Sequence, residues 1–85
     1  MRALFVGGVV DNSELDLDGE RPPLSYPENG GAGQPRYRLS QIGLRDEAVV
    51  YAVYAAPELN DDAVAQVASE RDYARRFAAT PTPPR

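Results

Sequence analysis

Carboxylates recur at every second position in Glu14-Leu15-Asp16-Leu17-Asp18, with Gly19 and Glu20 directly after them. Acids at that spacing can serve three chemistries. The first is metal binding. Glu14, Asp16, Asp18 and Gly19 match positions 1, 3, 5 and 6 of a calcium-binding EF-hand loop, but position 12, which needs a bidentate glutamate, is Ser25. No helical pattern flanks the segment either, so the metal loop fails. The second is general acid–base work of the glycoside-hydrolase kind, which needs two acids held in a water-excluding site. Nothing in the sequence places them in one. The third is recognition. Along an extended strand, alternate residues share one face at a spacing of about 6.8 Å. Glu14, Asp16 and Asp18 therefore form a row of negative charge with Leu15 and Leu17 on the opposite face. A protein that grips phosphates with arginines could grip such a row. A half-buried strand with a solvated outer face is the plainer and commoner alternative.

The rest of the inventory is short. Among the 85 residues there is no histidine, no cysteine and no lysine, and all nine basic residues are arginines. Thiolate and imidazole metal sites, Ser–His and Cys–His nucleophiles, disulfides, Schiff bases and a phosphate-loop lysine are thereby excluded. Gly7-Gly8 follows the apolar run ALFV of residues 3–6, yet neither GxGxxG nor GxxxxGK[ST] is present. The glycines read instead as a bend or bulge where another backbone comes close. No enzyme activity, cofactor or metal is expected. The net charge of −4 argues against direct nucleic-acid binding, which needs a basic surface. The few apolar residues before Gly7 are far short of the roughly 20 of a membrane span and too short for a signal peptide. The expected location is the cytoplasm.

The elements that must position these residues follow from periodicity. Residues 3–6 form a strand covered on both faces, and residues 14–18 a half-buried one. Residues 21–35 are rich in proline and then glycine, so they read as an extended stretch followed by a loop. Leu24 and Tyr26 are expected to tack its first half onto the sheet, and residues 28–34 to be mobile. Residues 36–44 resume a strand, with Tyr37 and Leu39 inward and Arg36 and Arg38 on the wet face. The apolar phase slips near Gly43, which predicts a bulge. Residues 48–56 (AVVYAVYAA) are apolar on both faces and pair with that strand as a hairpin. The helix is the clearest element. Asn60 is its N-cap, Asp61 and Asp62 sit at the positive end of its dipole, and Leu59 staples to Val64. Ala63, Val64, Val67, Ala74, Phe77 and Ala78 make its apolar stripe, and the closing prolines forbid continuation. Arg71 interrupts the stripe. The reading preferred for it is a side chain snorkelling along the sheet edge, and the alternative is a functional guanidinium reaching a carboxylate partner or ligand.

The predicted fold class is α+β: a small antiparallel sheet of about four strands with one C-terminal helix packed on one face. Residues 1–79 make the single domain, with a flexible loop at 21–35, and residues 80–85 a disordered tail. One helix covers one side of a sheet. The other apolar side must meet the Pro-rich loop, a second copy, or another protein.

The segment LFVGGVVDNSELDLDGERPP, the strand RYRLSQIGL, the strand VVYAVYAAPELNDD and the closing arginine-bearing helix together resemble a group of small phage and prophage proteins. Their hallmark is an N-terminal LFVGGP-x-DG-x segment, then a Pro-rich stretch, a YR strand and a C-terminal helix. Val9 stands where the group usually has proline, and Asn12 where it has glycine. The resemblance implies a phage or prophage accessory product and carries over no catalytic residue.

The expected function is therefore a non-enzymatic accessory protein of a bacterial host cell that binds a host or phage protein. An inhibitor of an antiviral defence system is the form named for it, with a target that normally binds nucleic acid. The second option is a self-associating structural or assembly protein, with a homodimer as its simplest form. Glu14, Asp16, Asp18, Glu20, Tyr26 and Tyr54 are the candidate contact residues.

Overall fold

The computed structural model describes residues 1–27 and 36–84. Its sheet is centred on the two strands that are apolar on both faces. β1 (Arg2–Val6) runs parallel to β5 (Ala48–Ala55), with Leu4 opposite Val53 and Phe5 opposite Tyr54. β1 pairs on its other side with β2 (Glu14–Asp16), antiparallel. β5 folds back from β4 (Tyr37–Arg45) through the turn residues Asp46 and Glu47, whose φ values of 53° and 67° match the twist of a tight hairpin. β3 (Ser25–Tyr26) and β6 (Thr80–Thr82) share the outer edge of β4, one along Tyr37 and Arg38, the other along Ile42 to Leu44.

The architecture is α+β, with a mixed sheet of six strands instead of about four antiparallel ones. The parallel pair is the reason hairpin logic missed the order. Both central strands are apolar on each face and each needs two neighbours, so β5 closes against β1 after the chain has crossed to the far edge. The C-terminal segment expected to be loose supplies β6. Pro81 is tolerated there because the outer side of an edge strand needs no N–H.

Two bulges set which side chains face which layer. Register shifts occur between Leu39 and Gln41 and between Gly43 and Leu44. The extra residue at Ser40 moves the inward phase from Tyr37 and Leu39 to Ile42 and Leu44. The second shift accompanies the predicted irregularity at Gly43, where the Tyr51 ring lies across the missing side chain.

α1 (Asp61–Glu70) begins where expected, with the Asn60 side chain accepting from the Ala63 N–H at 2.8 Å. It does not run on to Ala78. Asp72 adopts left-handed backbone, φ 58°, and a short α2 (Tyr73–Arg76) follows. The break swings Tyr73 under the sheet, where it is 1% exposed. Leu4, Val6, Tyr51, Val53, Val64, Ala68 and Tyr73 form the helix-side core. On the opposite face Ala3, Phe5, Tyr37, Ile42, Ala52 and Tyr54 form a second, thinner core, with Leu15, Leu17 and Tyr26 packed against it.

Candidate contact surface

The acidic row does not stand free. Register places Glu14 opposite Leu4 and Asp16 opposite Arg2, on the helix side of the sheet. There Arg76 of α2 reaches Glu14 at 3.0 Å, and Arg2 reaches Glu14 at 3.4 Å and Asp16 at 3.0 Å. The Arg76 bond, aided by both positive charges, holds the Glu14 carboxyl below the ordinary carboxylate range. Arg36 and Arg38, expected on the wet face of their strand, take no part in this pairing. Arg38 is half-buried against the start of α1 and donates to the Leu59 carbonyl at 2.6 Å and to Asp61 at 3.1 Å, so it is an anchor and not a solvated charge. Asp18 and Glu20 are exposed in the turn after β2.

The two candidate tyrosines separate. Tyr26 is half-buried, with its ring 5.5 Å from Phe5 and 6.2 Å from Tyr54. Tyr54 is fully buried and donates to the Pro23 carbonyl at 2.7 Å. Its place inside the second core removes it from any contact surface. That bond, with the Leu39 N–H donating to the Leu24 carbonyl at 2.9 Å, fixes the Pro-rich stretch on the sheet. The expected tacking is therefore made by Tyr26 and by backbone, while the Leu24 side chain remains 74% exposed. The mobility expected of residues 28–34 falls outside the described residues.

Arg71 reaches a carboxylate. Its guanidinium donates to both Asp11 oxygens, at 2.9 and 3.0 Å, to the Tyr73 hydroxyl at 3.2 Å and to the Phe5 carbonyl at 3.4 Å. The preferred snorkelling reading is thereby corrected. Ending α1 at Arg71 aims the side chain back at the loop after β1. Asp11 also accepts the Gly7 N–H at 2.7 Å, and this bond, followed by Arg71, depresses its pKa. Gly7 and Gly8 have φ of 82° and 68°, and the Tyr37 hydroxyl donates to the Gly7 carbonyl at 2.7 Å. A side chain on Gly8 would strike that hydroxyl, so the close approach at the double glycine is made by side chains, Tyr37 foremost, and not by the second backbone expected from the sequence.

This pinned loop displays apolar groups on the sheet face away from the helices. Val9 is 85% exposed and Val10 is 38% exposed. They border a hollow of about 260 Å³ floored by Phe5, Leu15 and Tyr37. Further along the same face, Leu24 and Pro22 wall a larger groove of about 610 Å³ over Leu39, Ile42, Leu44 and Val49. Neither hollow was legible in the sequence. The exposed Val9 and Leu24 were visible as residue types, but only the folded loops turn them outward together.

The described residues contain no group of three or more carboxylates placed to share an ion. No helix among them is long and apolar enough to cross a membrane. No family model, curated protein or solved structure matches the chain.

Proposed function

We propose that the chain is a non-enzymatic protein-binding module of a phage or prophage, acting in the bacterial cell by occupying a host protein, as an inhibitor of an antiviral system. Protein binding rests on one observation: Val9, Val10 and Leu24 are large apolar side chains left exposed on the sheet face that no helix covers. Exposed apolar patches of this kind on small proteins mark interaction surfaces. The phage setting rests on the resemblance carried by residues 3–77.

The carboxylates support a non-catalytic reading. Asp11 and Glu14 are held as anions by arginines and a backbone N–H, the opposite of the raised pKa a general acid needs. Internal pairing of Glu14 and Asp16 also changes the proposed mode of contact. A row of free charge imitating phosphates gives way to an apolar face as the main contact, with the remaining acids at its margin.

Affinity capture from a bacterial host lysate tests this, using the full chain and the Val9→Asp/Leu24→Asp variant. One host protein should be recovered in stoichiometric amount by the natural chain and lost with the variant. Recovery of the same proteins by both overturns the reading. If only further copies of the chain are recovered, and light scattering shows an oligomer, the self-associating assembly protein replaces it.

A further inference from the structure

The groove walled by Pro22 and Leu24 differs from the rest of the surface in its charge. Elsewhere arginines neutralise five acids: Glu14 and Asp16 by Arg2 and Arg76, Asp61 by Arg38, Asp11 by Arg71 and Asp72 by Arg75. At the groove end, Glu20 and Glu47 line the rim, and a second hollow of about 460 Å³ continues from it and adds Asp46. Among the described residues none of these three acids enters an ion pair, and Arg21 is the one basic side chain beside them. Among the described residues Asp18, Glu58, Asp62 and Glu70 also lie outside any ion pair, and Asp62 alone of these four borders a hollow, a smaller one of about 380 Å³ beside Pro81, Pro83 and Pro84. At the groove end three unpaired acids lie beside an apolar floor.

The floor is also preformed. Ile42 is buried, while Leu39, Leu44 and Val49 are half-buried and open into the groove. The wall stands off the sheet because Pro22 and Pro23 keep the chain extended and the Tyr54 bond to the Pro23 carbonyl pins it. A fixed wall removes much of the ordering cost of binding. The groove's volume lies within the range of roughly 300–1,000 Å³ typical of binding pockets.

Resting on the protein-binding reading above, we propose that this groove takes an apolar segment of a partner protein flanked by lysines or arginines. Large apolar side chains of the segment fill the space over Leu39, Ile42 and Leu44, under Leu24. The flanking cations meet Glu20, Asp46 and Glu47, which supply both attraction and register. A second copy is a poor occupant. The chain has no lysine, and its Arg2, Arg38, Arg71 and Arg76 are engaged with its own acids, so a second copy brings few free cations to the rim.

The test uses the full chain as bait for a displayed random peptide library of about 12 residues, followed by anisotropy titration of the enriched peptides. Enriched sequences should carry one or two large apolar residues flanked by two or more Lys or Arg. Their Kd should rise roughly fivefold or more with Glu20→Gln/Glu47→Gln, roughly tenfold or more with Leu24→Asp, and also between about 50 and 300 mM salt. Leu24, Glu20 and Glu47 are exposed, and an unchanged melting curve verifies that each variant folds. Neutral or acidic enriched peptides, or undiminished binding by the Gln variant, overturn the proposal. Binding lost with Val9→Asp but kept with Leu24→Asp overturns the groove and leaves the protein-binding reading standing. A dimer abolished by Leu24→Asp assigns the groove to a second copy and overturns the proposal. No enriched peptide overturns the groove, and the protein-binding reading falls with it only if lysate capture also fails.

Discussion

Asp11 and Arg71 are separated by 60 positions and share two hydrogen bonds, so one pair ties the loop after β1 to the end of α1. Removing the carboxylate with Asp11→Ala also strands the Gly7 N–H. Because the pair is partly solvated, the expected loss is about 1–2 kcal/mol, read from the urea midpoint. The pair also sets a pH dependence. Asp11 and Glu14 have folded pKa values below their ordinary 3.8 and 4.5. In acid the unfolded chain therefore binds more protons than the folded one. Their stabilisation is complete above the ordinary values, shrinks as pH falls through them, and is gone below the folded pKa. Urea midpoints should stay level from neutral pH to about 5.5 and then fall, with a shallower fall in Arg71→Ala and Arg76→Ala. A midpoint that keeps the same acid slope in both variants would sink this assignment. At Gly43 the constraint is steric. A methyl group there would enter the Tyr51 ring, so Gly43→Ala should cost about 1–3 kcal/mol in thermal or chemical unfolding.

At the level of elements, the C-terminal strand is the most exposed part of the fold to test. β6 pairs with β4 at Ile42, Gly43 and Leu44, and the Arg45 guanidinium donates to the Phe77 carbonyl just before it. Deleting residues 80–85 should lower stability by about 1–2 kcal/mol, a fall in Tm of about 5–10 °C. It should also raise amide exchange along the second half of β4, leaving the half paired to β3 unchanged. Equal exchange in both halves would mean that β6 contributes nothing. The edge it covers is otherwise an open template for other strands, and the prolines of this segment and of the stretch before β3 keep both outer strands unreceptive. The helix break has a comparable consequence. It lets α1 end with Arg71 over the β1 loop while α2 brings Tyr73 and Phe77 against Tyr51, at 6.2 and 5.3 Å.

For the whole molecule, the two faces of the sheet divide the work. The helix side carries a core of large side chains and the ion pairs of Arg2, Arg38, Arg71 and Arg76. The other side has a thin core, a pinned Pro-rich wall and hollows that open to solvent. Stability and binding should therefore separate experimentally. Leu24→Asp and Val9→Asp should change unfolding free energy by less than about 0.5 kcal/mol while abolishing partner capture. A comparable change in both quantities would place these side chains in the core and remove the surface from the functional account.

What the sequence determined by itself was local. Backbone preference and periodicity depend on near neighbours, so the Asn60 cap, the strands at residues 3–6 and 48–56, the irregularity at Gly43 and the α+β class were all legible in it. The surplus apolar face was legible too, as a count of surfaces against one helix. The parallel pairing of β1 with β5 and the recruitment of residues 80–82 were decided by which distant surfaces had to be buried together. The left-handed turn at Asp72 was decided the same way, because only tertiary packing rewards the burial of Tyr73, which lies off the apolar stripe read from the sequence. The acidic strand shows the division most clearly. Alternation announced its charge, but whether Glu14 and Asp16 are free depended on Arg76 arriving from 62 residues away. Charge pairing is set by distance in space, and the fold placed three of the unpaired acids, Glu20, Asp46 and Glu47, at the far end of the Pro-walled groove.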